Sequence, residues 1–98
     1  MAKTIVWKRK ANLQILQLEA YLFENFSQKA VDKFLDQMFQ KLESLSKFPE
    51  RGQQTRFKTI RRLRINRYTS LFYRIQGSYI VIHFVWDNRQ DPKKNPYL

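Results

Sequence analysis

The stretch from Arg61 to Trp86 constrains the fold most. It runs Arg61-Arg62-Leu63-Arg64-Ile65-Asn66-Arg67-Tyr68, continues through Leu71-Phe72-Tyr73-Arg74-Ile75, turns at Gln76-Gly77-Ser78 and ends in Tyr79-Ile80-Val81-Ile82-His83-Phe84-Val85-Trp86. Three short runs rich in β-branched and aromatic residues, with turn residues between them, read as an antiparallel meander. The two-residue period of a strand then decides where side chains point. Leu63 and Ile65 share one face, leaving Arg62 and Arg64 on the other. Leu71, Tyr73 and Ile75 oppose Ser70, Phe72 and Arg74. In the third run Ile80, Ile82, Phe84 and Trp86 form the most apolar face, opposite Val81, His83 and Val85. If the apolar faces coincide, the opposite surface gathers Arg62, Arg64, Arg74 and His83.

A meander with one apolar face needs a second layer, and the first half of the chain supplies it. Thr4-Ile5-Val6-Trp7 suits a short first strand. From Ala11 the period changes to that of a helix: Ile15, Leu18, Leu22 and Phe26 form a stripe, with Leu16, Ala20 and Phe23 beside it as one wide apolar face. Ser27 is placed to cap a second helix, whose stripe is Val31, Phe34, Leu35, Met38, Leu42 and Leu45. Pro49-Glu50-Arg51-Gly52 ends it in a turn.

The expected fold is therefore α+β, one domain over residues 1–98. It comprises strand 4–8, helices 11–25 and 28–47 as a hairpin, then strands near 60–67, 70–76 and 79–86. The expected core is Ile15, Leu22, Phe34, Leu35, Met38, Leu42, Leu63, Ile65, Leu71, Tyr73, Ile80, Ile82 and Phe84. The pattern leaves open where the first strand pairs.

Charge narrows the function. The net charge is +11, and between Arg51 and Trp86 there is no Asp or Glu beside eight Lys and Arg residues. Such a surplus suits a polyanionic or acidic partner. Met1-Ala2-Lys3-Thr4 lacks the long apolar stretch of a signal peptide and no run approaches membrane-spanning length, so the expectation is a cytoplasmic protein without a membrane partner. With no cysteine, one histidine and two glycines, a thiolate metal site and a Gly-rich phosphate loop are excluded, and no metal or cofactor is expected. Arginines, one histidine and tyrosines suit metal-free RNA cleavage. There a 2′-hydroxyl attacks the adjacent phosphate, cations stabilise the transition state and His83 could exchange a proton.

Several segments together resemble toxins of the RelE/ParE superfamily of bacterial type II toxin–antitoxin modules, the plasmid-stabilisation type. They are Leu45-Ser46-Lys47-Phe48-Pro49-Glu50-Arg51-Gly52, Arg61-Arg62-Leu63, Phe72-Tyr73-Arg74-Ile75 and Trp86-Asp87-Asn88-Arg89-Gln90-Asp91-Pro92. The resemblance implies a four-stranded sheet packed on the helical hairpin and neutralisation by a cognate antitoxin, here expected to offer an acidic, amphipathic segment. It also implies one of two targets. RelE-like members cleave mRNA in the ribosomal A site, acting as mRNA interferases. ParE-like members inhibit DNA gyrase.

In the RelE pattern Arg62, Arg64 and Arg89 match the catalytic basic residues, and Tyr97 the C-terminal tyrosine. His83 joins them as the proton-handling candidate of the residue-level reading. Arg61, Arg67, Arg74 and Lys58 are the expected nucleic-acid contacts. Ser70 departs from the pattern, which places an arginine there. The cationic surface favours ribosome-dependent mRNA cleavage by a small margin over gyrase inhibition. A non-toxic nucleic-acid-binding module is the third reading.

Overall fold

The structure, a computed structural model, describes residues 2–95. Strand β1 (Thr4–Trp7) leads into helix α1 (Arg9–Asn25) and helix α2 (Gln28–Lys47). A 3-10 turn at Pro49–Arg51 precedes β2 (Gln53–Gln54), and β3 (Arg61–Arg64), β4 (Thr69–Gln76) and β5 (Tyr79–Asp87) complete the sheet. Among the described residues no helix is long and apolar enough to cross a membrane.

The expected order of strand, two helices and meander holds, with Ser27 Oγ accepting from the Ala30 N–H at 3.2 Å as the α2 cap. The sheet differs from expectation in its strand number. The sheet has five strands, not four, in the order β1-β5-β4-β3-β2. The added strand, β2, is a two-residue edge pairing with Arg61 and Arg62. It lies in a polar segment with no hydrophobic alternation to betray it. Strand β1 pairs with β5 in parallel, so the sheet is mixed. The third-from-last strand is also shorter than expected. Asn66 Oδ1 accepts from the backbone N–H groups of Tyr68 and Thr69 at 2.8 and 3.0 Å, and this local turn ends the run.

Helices α1 and α2 cover one face of the sheet. Ile15, Phe34, Met38 and Leu42 pack there with Leu63, Ile65, Leu71, Tyr73, Ile80 and Ile82, and Leu22 and Leu35 sit partly buried at the margin. Phe84 is the exception among the expected core residues. Phe72 pairs with Phe84 but Tyr73 pairs with Ile82, so His83 is an extra residue in β5. A bulge of this kind reverses the alternation beyond it. Ile80 and Ile82 face the helices, Val85 replaces Phe84 in the core, and Phe84 and Trp86 join Phe72 and Ile60 in a separate cluster.

One tyrosine ties the end of the hairpin to the sheet. Tyr73 is fully buried, its hydroxyl donating to the Pro49 carbonyl at 2.7 Å and accepting from the Gly52 N–H at 2.9 Å. Arg61 reinforces this corner, its Nη1 donating to the carbonyls of Glu50 and Gly52 at 3.1 and 2.9 Å. Arg61, expected to contact nucleic acid, is thus engaged in holding the turn before β2.

Candidate functional site

The face of the sheet turned away from the helices is built on an aromatic floor. Register places Arg62 beside Phe72 and Arg64 beside Ser70 on adjacent strands. The bulge adds Phe84 and Trp86 to the same cluster. The Phe72 and Phe84 rings meet edge to face at 6.2 Å, and Phe84 stacks on Trp86 at 6.0 Å. Cations lie against the floor: Lys10 Nζ is 5.0 Å from the Phe84 ring centre, and the Arg62 guanidinium carbon 5.9 Å from that of Phe72. Positive charge over a ring face is attracted by the ring quadrupole, so the floor holds the cations as well as being shielded by them.

Arg62 is fixed rather than free. Its Nε donates to Ser70 Oγ at 3.1 Å and its Nη2 to Asn88 Oδ1 at 2.7 Å. Ser70 Oγ donates to the same Asn88 oxygen at 2.9 Å, and Asn88 Nδ2 donates to the Arg67 carbonyl at 3.3 Å. Partial burial, and then the nearby charge of Arg64, lower the pKa of Arg62 from its ordinary value. Ser70 is fully buried. Its hydroxyl completes this network, which gives the departure from the family pattern a structural role here. Sequence reasoning missed Asn88. The only signal was its place just past a strand end, where an amide side chain often bonds neighbouring backbone.

Arg89 is held differently. Its Nε and Nη2 fork onto the two Asp87 oxygens at 3.0 and 2.9 Å, and its backbone N–H donates to Asp87 Oδ1 at 2.9 Å. These hydrogen bonds pull the Asp87 pKa below the usual carboxylate value, and Asp87 raises that of Arg89. The guanidinium carbons of Arg89 and Arg67 lie 4.9 and 5.3 Å from the Tyr68 ring centre.

The remaining candidates are dispersed. Arg64, Arg67, Arg74 and Lys58 are exposed. His83 occupies the β5 bulge, and with β4 between it and β3 it stands about 10 Å from Arg62 by strand spacing. Burial, followed by the charges of Lys8 and Arg74, lowers its pKa. Tyr97 lies outside the described residues. Among the described residues no group of three or more His, Cys, Asp or Glu side chains could hold a metal ion.

The His83 shift carries a sign that can be measured. Its folded pKa lies below the unfolded value, so the unfolded chain binds more protons and stability rises with pH through that window. Urea midpoints should fall as pH drops below about 6.5, the ordinary histidine value. His83→Gln should flatten that part of the profile; an unchanged profile would show that His83 does not couple to folding.

Around the rim, α1, α2 and the ends of β4 and β5 enclose an open groove of about 1050 Å³. Leu18, Tyr21, Leu22, Phe26 and Phe34 give it apolar walls, while Lys33, Arg67 and Arg89 bring positive charge to its lining. No local pattern announces this groove, because it forms only where the hairpin meets the sheet end.

Comparison with known proteins adds an independent line. A family profile described as the ParE toxin of the type II toxin–antitoxin system, parDE, matches residues 5–92. No curated protein sequence matches the chain. Among solved structures, a chain of the chromosomal ParDE toxin–antitoxin system from P. aeruginosa superposes with a TM-score of 0.72 at 17% identity, covering 88% of this chain and 96% of that one. A chain of the RelBE2 toxin–antitoxin complex from Mycobacterium tuberculosis superposes with a TM-score of 0.61 at 18% identity, covering 90% and 100%.

Proposed function

The chain belongs to the ParE toxin family of type II toxin–antitoxin systems, and on that premise we propose that it arrests growth by binding DNA gyrase through its basic sheet face rather than by cutting mRNA. The observation that carries this reading is the engagement of Arg62 and Arg89. One is bonded to Ser70 and Asn88 and the other is forked onto Asp87. A cation stabilises a phosphorane-like transition state best when its donors are aimed at the developing charge. Here Nε and Nη2 of both guanidiniums are engaged within the protein, which fixes their orientation, and His83 stands two strands from Arg62. The arrangement favours a rigid, charged recognition surface over the nuclease that the sequence narrowly favoured. Arg64 and Arg74, exposed beside the aromatic floor, are the contacts offered to an anionic target.

Neutralisation belongs to the groove. An acidic, amphipathic antitoxin segment would lay its apolar side against Tyr21, Leu22 and Phe34 and its carboxylates toward Lys33 and Arg67. The P. aeruginosa and M. tuberculosis relatives come from toxin–antitoxin systems, which supports a partner of this kind.

The test is a brief induction in cells with two readouts. Plasmid supercoiling and the DNA-damage response should change while mRNA stays intact, and Arg64→Glu should abolish the arrest. New mRNA 5′ ends phased within translated codons, with supercoiling untouched, would replace this reading with ribosome-dependent cleavage.

A further inference from the structure

Helix α1 is apolar on two sides. Ala11, Ile15, Leu18 and Leu22 face the sheet. Leu13, Leu16, Ala20 and Phe23 recur at i, i+3, i+7 and i+10, a stripe about 80° wide and roughly 150° around the helix from the core side. The stripe is uncovered: Leu13, Leu16 and Phe23 are 49, 53 and 58% exposed. The single wide face expected from the sequence is thus two faces, and the outer one stays exposed among the described residues. It is also separate from the groove, which α1 borders through Gln14, Gln17, Leu18, Tyr21 and Leu22.

We propose that this stripe is a self-association surface, joining two copies of the chain through antiparallel α1 helices. The stripe is self-complementary in shape and charge. With the helices antiparallel, Leu13 meets the partner's Phe23 and Leu16 meets the partner's Ala20, large against large and large against small. The reverse contacts follow by the two-fold axis, as an isologous interface requires. Arg9, at the start of the stripe, comes within one turn of the partner's Glu24 at its end, and this pairing occurs twice.

Long-range charge allows this approach and little else that is anionic. Helix α1 is neutral, with Arg9 and Lys10 against Glu19 and Glu24, and α2 sets four lysines against three carboxylates. The excess lies beyond them: from Glu50 to Lys94 eleven Lys and Arg residues face three carboxylates. A back-to-back pair keeps both basic sheets on its outer sides. They are then separated by two helical layers, well beyond the screening length of about 8 Å at physiological salt. An acidic partner is drawn to the sheet or the groove, not to this neutral stripe.

Sedimentation velocity of the purified chain across the micromolar range tests the proposal. The expected result is a concentration-dependent species of twice the 12.0 kDa monomer mass. Leu16→Lys, at an exposed position, should weaken association at least tenfold, as loss of a central interface side chain does. Arg9→Glu should weaken it less, and the double variant Arg9→Glu/Glu24→Arg should restore it. Unchanged circular dichroism would establish that each variant is folded. A monomer at every concentration, or a dimer that these changes leave intact, would overturn the proposal. So would Leu16→Lys abolishing co-purification with the antitoxin while the mass of the free chain is unaffected, because the stripe would then belong to that partner.

Discussion

Gly52→Ala should destabilise the protein by about 3 kcal/mol, the upper range for overpacking a filled site. The reason is space, not backbone freedom. Gly52 has φ −65° and ψ 151°, a conformation open to any residue. A Cβ there would stand 2.2 Å from the Tyr73 hydroxyl oxygen and 2.6 and 2.7 Å from two ring carbons. The ring is fully buried and anchored by its bond to the Pro49 carbonyl, so neither side can yield without breaking the corner. Tyr73→Phe keeps the ring and loses only the two hydroxyl bonds, at a cost of about 1–3 kcal/mol. It should not rescue Gly52→Ala, since the ring carbons remain in the way. Urea unfolding of the three variants is the measurement. A Gly52→Ala midpoint equal to that of the parent would show that the corner rearranges freely.

Insertion of one alanine between Phe84 and Val85 should be more damaging still, leaving no cooperatively folded chain. Phe72 pairs with Phe84 and Leu71 with Val85 as consecutive residues, so the added residue takes the place of Val85 opposite Leu71. Val85 would then leave the core for the outer floor, and Trp86 would turn toward the helices. Core overpacking and lost aromatic burial add to more than about 4 kcal/mol, a large part of the stability of a domain this size. Deletion of His83 should by contrast fold, because Ile82 stays opposite Tyr73 and Phe84 opposite Phe72, each on its present face. Urea unfolding of both variants is the measurement, and a cooperatively melting insertion variant would disprove this account of the register.

The bulge is also where the sequence stopped being a guide. Alternation predicted the helix-facing residues Leu63, Ile65, Leu71, Tyr73, Ile80 and Ile82, because each apolar side chain there answers to local period and burial together. It put Phe84 with them because nothing in Ile82-His83-Phe84-Val85 marks an extra residue. All four suit either face of a strand. The basic outer surface was legible for the same reason as the core, through Arg62 and Arg64 alternating with Leu63 and Ile65. What each cation does was not legible. Whether Arg61 reaches the Gly52 carbonyl, or Arg89 forks onto Asp87, depends on contacts that composition and period do not encode. The second face of α1 was visible as Leu16, Ala20 and Phe23. It merged with the first because a helix wheel read alone does not say which side the sheet will take.

The parallel pairing of β1 with β5 has a consequence for the order in which the protein assembles. Thr4 is matched with Tyr79, so the edge strand must wait for a segment synthesised 75 residues later before its backbone finds a partner. Hairpins β3–β4 and β4–β5 close over short loops, but this last ladder closes only across the helical hairpin, and closure over such sequence distance is slow. The growing chain therefore cannot finish its sheet piecemeal on the ribosome. Assembly of the full sheet is delayed until translation has passed β5. The groove, which is lined by α1 and by the end of β5 together, is likewise complete only then.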